Sequence, residues 1–427
     1  MKHTVEEITL KNGARGLLID IPDATVMSLQ FHFRAGSRYV QDKQIYETAH
    51  IMEHMAFGAN EKFHSEHAYE QEFTKNGAYH NAYTSDYSMV YEAACADFEW
   101  DRILELQRLA VTTPRFSAEE LEAEKGNVRS ELTGYLNNHN RVMWPRIQQA
   151  LGEDVLTYNQ RLKTIHTITL KDIKEHHKRT HTLRNMRFVI AGKLTGRKTV
   201  IREALERWQL ESGERFAIPR SELSGAAPIL IRRKEASNLT FGWSMSLPRE
   251  LTDEEADAMD CLNHILTGTM SSRIFGAARK KGLAYGVFSD TSVGFYDSAW
   301  DFGGQVNLET AEELFAIIVR ELARVAEGKI AAEDIENAKS YALGRYQMGA
   351  QTVAQISNFY TGRYFADDFV KDYAGVPTAI LAVTDEQIVR VVREFLAART
   401  WVLAGVTSGQ KELLTRLQQT LEQLFIK

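Results

Sequence analysis

Cysteine is nearly absent from this chain of 427 residues: Cys95 and Cys261 stand far apart in apolar sequence, which predicts buried free thiols and no disulfide framework. Also missing is any stretch of the ~18–20 apolar residues that a bilayer crossing needs, so no membrane partner is expected. No block of like charge is long enough to act as a basic arm, and a net charge of −6 with a pI near 6.2 gives no general attraction to nucleic acid. Met1 leads into Thr4-Val5-Glu6-Glu7-Ile8 and a Lys11-Asn12-Gly13 turn, with neither the apolar core of a signal peptide nor an Arg/Ser-rich transit segment. The expectation is a cytoplasmic protein.

What remains is ordinary globular material, 44% hydrophobic and 25% charged, in a chain too long for one core. An internal repeat divides it. Leu29, Phe31 and Phe33 alternate with Gln30, His32 and Arg34, and 210 residues later Leu239, Phe241 and Trp243 alternate with Thr240, Gly242 and Ser244. Each pattern predicts a half-buried strand. Ala118-Glu119-Glu120-Leu121-Glu122 is echoed by Ala332-Glu333-Asp334-Ile335-Glu336 at an offset of 214, and the run from Thr169 to Gly192 by that from Thr384 to Gly405. Two homologous α+β domains follow, 1–210 and 229–427, joined by a linker over 211–228 that holds Pro219 and Pro228, two of the seven prolines.

The chemistry lies in His50-Ile51-Met52-Glu53-His54 and, after 76 intervening residues, Glu131. Positions i and i+4 share one face of a helix, so His50 and His54 can present imidazole nitrogens to one metal with Glu53 beside them. A catalytic zinc takes three protein ligands and keeps one position open, and two histidines with a carboxylate form a recurring set; Glu131 is the candidate third ligand. The plain alternative is an amphipathic helix that happens to carry two histidines. Ala118 to Glu131 reads as a second helix capped by Ser117, with Glu124 and Glu131 two turns apart on one face. Glu124 reads either as a partner that orients a ligand or as a solvated helix charge. His64, His67, His176, His177 and His181 have metal-like spacing but no matching carboxylate, and read as helix and loop surface. The repeat supplies an internal control: Asp260-Cys261-Leu262-Asn263-His264 falls opposite the motif, Arg345 opposite Glu131 and Ala338 opposite Glu124. The second copy should hold no metal.

These residues resemble the inverted-zincin metallopeptidases of the pitrilysin/insulinase family, above all the branch of similar chain length that includes mitochondrial processing peptidase. The likeness runs over nearly the whole chain. It implies a zinc-dependent endopeptidase with His50, His54 and Glu131 as ligands, Glu53 as the base that takes a proton from water, and Glu124 in support. It further implies that Asn81 and Ala82, in Asn81-Ala82-Tyr83-Thr84-Ser85, hold an extended peptide substrate along an edge strand. Ser271-Ser272-Arg273-Ile274-Phe275 with Gly282-Leu283-Ala284-Tyr285 resembles the family's C-terminal signature, which supplies an arginine and a tyrosine, here Arg279 and Tyr285. For Tyr285 the other reading is a core aromatic. Members enclose substrate in a clamshell chamber of four such domains, and this chain contributes two, which implies a homodimer or a heterodimer with a related subunit.

Two departures stand out. Arg279 precedes Tyr285 by six residues where the family commonly has seven, and Phe57 runs directly into Gly58-Ala59-Asn60 where the family often has Phe-Lys-Gly-Thr. The second should alter a loop without removing a ligand. Two other functions remain open at this point, a non-catalytic accessory subunit and a zinc hydrolase of a non-peptide substrate.

Overall fold

The computed structural model describes residues 1–409 and 411–425. In the first half of the chain the strands are β1 (Thr4–Thr9), β2 (Arg15–Asp20), β3 (Val26–Phe33), β4 (Tyr79–Thr84), β5 (Met89–Ala96) and β6 (Met186–Gly192). The helices there are α1 (Thr48–Ala56), α2 (Glu66–Thr74), α3 (Trp100–Thr112), α4 (Ala118–Tyr135), α5 (His139–Ala150), α6 (Tyr158–Thr164), α7 (Leu170–Thr180) and α8 (Lys198–Glu206). In the second half the strands are β7 (Ile229–Arg232), β8 (Asn238–Leu247), β9 (Ala284–Val293), β10 (Ser298–Asn307) and β11 (Trp401–Thr407). Its helices are α9 (Asp253–Asn263), α10 (Phe275–Lys280), α11 (Ala311–Ala326), α12 (Ala332–Met348), α13 (Val353–Asp367), α14 (Val376–Ala382), α15 (Asp385–Ala398) and α16 (Lys411–Glu422). The fold is α+β and repeated: the sheets run β1-β2-β6-β3-β5-β4 and β7-β11-β8-β10-β9. In each, one parallel pair, β2 with β6 or β7 with β11, sits among antiparallel neighbours.

The two compact units are not contiguous in sequence. Unit 1 comprises residues 1–134, 158–219 and 348–373; unit 2 comprises 135–157, 220–347 and 374–427. Each half of the chain thus gives a segment to the other unit, and the segments correspond: α5 begins at His139 and α13 at Val353, 214 residues later. The segment read as a linker divides at Pro219 and Arg220. Before the division it is fastened to unit 1, where Leu183 and Arg184 donate main-chain hydrogen bonds to Glu211 and Ser212. After it, Ser224 donates to Leu151 of unit 2.

This exchange corrects the reading of β3 and β8 as half-buried strands. Gln30 and His32 are as buried as Phe31, because α13 covers that face. Asn358 and Thr361 hydrogen-bond the Gln30 amide, and the His32 ring packs 5.1 Å from Phe365. Burial holds the His32 pKa down to about 3, helped by the nearby Arg215. Beside them Leu17, Ile19 and Val189 pack on Ile356, Tyr360 and Tyr364. In unit 2, α5 does the same with apolar chemistry. Met143 and Ile147 lie on Val402, Ala404 and Val406, so close to Gly242 that a Cβ there would stand 2.8 Å from the Met143 methyl. The opposite face of that sheet carries the main core of unit 2, with Phe241, Trp243, Trp300, Phe302 and Phe315.

The histidines read as surface at 176, 177 and 181 lie inside unit 1. His176 and His181 are buried, and the three rings meet the Ala35 carbonyl, the Val111 carbonyl and the Tyr91 hydroxyl. Burial pushes their pKa values down, to about 4 for His176 and His177, so they are neutral core residues. Cys95 and Cys261 are buried free thiols.

Candidate metal centre

α1 starts at Thr48, whose hydroxyl donates to the Ile45 carbonyl at 2.6 Å, and it buries Ala49, Ile51, Met52 and Met55. That leaves His50, Glu53 and His54 together on its other side. α4 is held at its start by a reciprocal cap: the Ser117 hydroxyl accepts from the Glu120 N–H at 3.1 Å, and the Glu120 carboxylate accepts from the Ser117 N–H at 3.0 Å. The other oxygen of Glu120 accepts from the Ala59 N–H at 3.0 Å. The shortened Gly58-Ala59-Asn60 turn therefore docks onto the start of α4. A Cβ at Gly58 would stand 2.9 Å from the same carboxylate, which would have to move to admit it.

With the helices set this way, His50, His54 and Glu131 offer one ligand atom each within 4.8 Å of one another. Nε2 of His50 is 3.4 Å, and Nε2 of His54 3.6 Å, from the same Glu131 oxygen. The rings stand nearly perpendicular, at 83° with centroids 4.9 Å apart. Zinc bonds of ~2.1 Å at a tetrahedral angle hold donor atoms ~3.4 Å apart, and both nitrogen–oxygen distances are close to that spacing. The far nitrogens are engaged as well: Nδ1 of His54 is 2.9 Å from Glu124, and Nδ1 of His50 is 3.0 Å from Glu47. A carboxylate on each Nδ1 keeps the proton there and leaves the Nε2 lone pair for a metal.

Electrostatics favour a cation. Burial lowers the affinity of His50 for a proton, yet Glu131 and Glu47 outweigh it and raise its pKa to about 9. Burial likewise opposes protonation of His54, and Glu124 and Glu131 raise it to about 10. Glu124 is lowered, chiefly by its bond to His54. Glu53 differs: burial raises its pKa against the pull of His50 and of the Thr84 hydroxyl, which stands at the end of β4 and donates to the Ala49 carbonyl at 3.5 Å.

Among the described residues, β4 is an edge of its sheet and pairs with β5 alone. Asn81 faces outward on it, and Ala82 faces the helices with Thr84. His80 is stacked on Phe73 and bonded through Nε2 to Glu70 at 2.7 Å, while its Nδ1 is buried without a hydrogen-bond partner. In unit 2, Tyr285 is 85% exposed at the start of β9, which removes the core-aromatic reading, and the Arg279 guanidinium lies over its ring at 5.0 Å. Sequence reasoning missed Glu47, Arg161 and Thr84. Glu47 could have been found by reading the motif one helical turn upstream, whereas Arg161 carries no local signal.

Fold and cluster together define an α+β protein of two repeated units, one of which brings the inverted His-x-x-Glu-His pattern and a distant glutamate into zinc-ligand geometry. Residues 16–160 match the family described as Insulinase (Peptidase family M16), and residues 167–341 match the Peptidase M16 inactive domain. The chain belongs to this family, also called the pitrilysin family. It is 23% identical to the uncharacterized zinc protease YmxG of Bacillus subtilis, over 82% of this chain and 85% of that protein. It is 31% identical to the mitochondrial-processing peptidase subunit beta of Bos taurus, over 40% of this chain and 35% of that one. A crystal structure of a peptidase M16 inactive domain from Pseudomonas fluorescens superposes with a TM-score of 0.82 at 18% identity, covering 95% of this chain and 98% of the other, a likeness of fold. Among the described residues, no helix is long and apolar enough to cross a membrane.

Proposed function

We propose that this protein is a zinc-dependent endopeptidase of unfolded or extended peptides, with His50, His54 and Glu131 holding the metal. The observation that carries this reading is the convergence of two Nε2 atoms on one Glu131 oxygen, with each Nδ1 held by its own carboxylate. The metal, when bound, supplies Lewis acidity toward water and a peptide carbonyl. Glu53 accepts the proton of the attacking water and returns it to the leaving amine, a task suited to a carboxylate whose burial raises its pKa. Glu124 positions His54.

Substrate adds to β4 as an extra strand, its main chain pairing with the free edge near Asn81 and Ala82. Tyr285, with Arg279 against its ring, donates to the developing oxyanion or clamps a substrate carbonyl. The working enzyme is a dimer of this chain, or of this chain with a related subunit, enclosing the substrate. The first half supplies the metal ligands and the base, and the second supplies Tyr285 and Arg279. An accessory, non-catalytic role is disfavoured by the complete ligand set, which such a role would not need.

Zinc content and cleavage of unstructured peptides, measured together, test this reading. Glu53→Gln should keep zinc and lose hydrolysis, whereas His54→Ala should lose both. Near-normal turnover in Glu53→Gln would remove Glu53 as the base, and a wild-type protein that binds zinc but cleaves no peptide would return the chain to an accessory or non-peptide role.

A further inference from the structure

We infer that Glu47 and Arg161 form a positioning device for the first histidine of the zinc set, an inference that rests on the zinc reading above. Glu47 sits at the start of α1, one turn before His50, and its side chain has no exposed surface. One of its oxygens meets Nδ1 of His50 at 3.0 Å. Arg161, on α6, grips the same carboxylate at both oxygens, Nη2 donating to Oε2 at 2.8 Å and Nε donating to Oε1 at 2.5 Å. The guanidinium in turn lies against the rings of Tyr46 and Tyr158, 5.7 and 5.1 Å from their centroids. The result is a chain of contacts, rings to arginine to glutamate to histidine, with the far end of the imidazole aimed at Glu131.

Stability alone does not explain this arrangement. A buried carboxylate and guanidinium each lose their hydration, and such a pair is often no more stable than apolar residues of the same volume. What a bidentate pair gives is geometry: it holds the carboxylate in one plane, and the carboxylate holds the imidazole ring and its tautomer. The contrast with the second histidine supports this. Glu124 holds His54 from a partly exposed site and is itself steadied by Asn127. In unit 2, α14 occupies the place of α6 before the Thr-capped helix α15, as α6 does before α7, and its sequence VPTAILA holds no charged residue. The repeat therefore folds without an arginine there, and the half that has the arginine also has the histidines.

The test is zinc affinity by competition with a chelator on the intact chain, read without any substrate. Glu47→Gln keeps the side-chain shape and should weaken zinc by about 10- to 100-fold. Because Arg161→Met leaves Glu47 buried without its cation, it may be compared with the double variant Glu47→Gln/Arg161→Met, which removes both charges. The double variant should regain the thermal stability of the metal-free wild type and still bind zinc about as weakly as Glu47→Gln. A core variant chosen for equal loss of stability, such as Leu205→Ala, should leave zinc affinity unchanged. Wild-type affinity in Glu47→Gln and in the double variant would overturn the positioning role while leaving the zinc reading intact. A wild-type protein without zinc affinity would instead overturn the reading on which it rests. Equal weakening in Leu205→Ala would show that general stability, not the Glu47 contact, sets the affinity.

Discussion

Unit 1 and unit 2 place one residue of the motif helix in the same surroundings and use it differently. In unit 1 it is Glu53, whose pKa burial raises against the pull of His50 and of the Thr84 hydroxyl on the edge strand β4. In unit 2 it is Asn263, whose amide donates to Thr291 on the edge strand β9 at 2.9 Å and accepts from the Trp300 indole at 2.9 Å. The amide satisfies a buried network and is a structural residue. The carboxylate leaves its burial uncompensated apart from Thr84 and the histidines, which is a cost to the fold and a condition for a base. The lesson extends to the neighbours: His264 in unit 2 stacks on Tyr341 at 4.0 Å, where His54 in unit 1 meets two glutamates. One scaffold supports both solutions.

The comparison can be broken most severely by cutting the chain between its halves. A fragment ending at residue 228 keeps every proposed zinc ligand but loses 348–373, which belongs to unit 1. Uncovering Leu17, Ile19, Ile21 and Val189 costs on the order of 6–10 kcal/mol, comparable to the ~5–15 kcal/mol stability of a domain. Circular dichroism and denaturant unfolding should find the fragment unfolded or aggregated, and a cooperative transition would show that α13 is dispensable. The next test moves a charge into unit 2. Asn263→Asp places a carboxylate beside the Trp300 indole, and should lower stability by about 2–3 kcal/mol with no change in zinc content. Unaltered stability would mean that the amide network is not structural.

How much of this was legible beforehand follows from the range of each interaction. The motif, its distant glutamate and the repeat are patterns of residue type and spacing, so the α+β fold and the cluster of His50, His54, Glu124 and Glu131 were within reach. The exchange of α5 and α13 was not, because an amphipathic helix does not record in its sequence which sheet it will cover. That one gap explains why Gln30 and His32 were read as solvent-facing. His176, His177 and His181 were misread for a related reason: each is satisfied by a carbonyl or hydroxyl far away in sequence, and hydrogen bonds of that kind leave no local trace. Arg161 reaches Glu47 across 114 residues and was missed for the same cause.

A gentler probe of the division of labour is Tyr285→Phe. If the hydroxyl supports the transition state, turnover should fall by about 10- to 1,000-fold with zinc unchanged. Because the side chain is 85% exposed, thermal stability should not move. An unchanged rate would confine the chemistry to unit 1. A pH-dependent effect is expected at Asp301 in unit 2, whose pKa burial raises to about 6. Its folded-state value lies above the unfolded value of ~3.9, so the stability it lends is full below about pH 4 and is lost as pH rises through about 6. Asp301→Asn should therefore stabilise the protein at pH 8, by about 3 kcal/mol, and make little difference near pH 4. A gain of the same size at both pH values would show that the effect is not one of charge.

Zinc stoichiometry tests the central claim most directly, since the two units share a scaffold and are assigned opposite roles. Purified protein equilibrated with zinc and freed of loosely held metal should carry about one zinc per chain. Replacement of His50 and His54 together by alanine should abolish it, and replacement of His264 should leave it in place. Two zinc ions per chain, or one that survives the loss of both His50 and His54, would contradict the account.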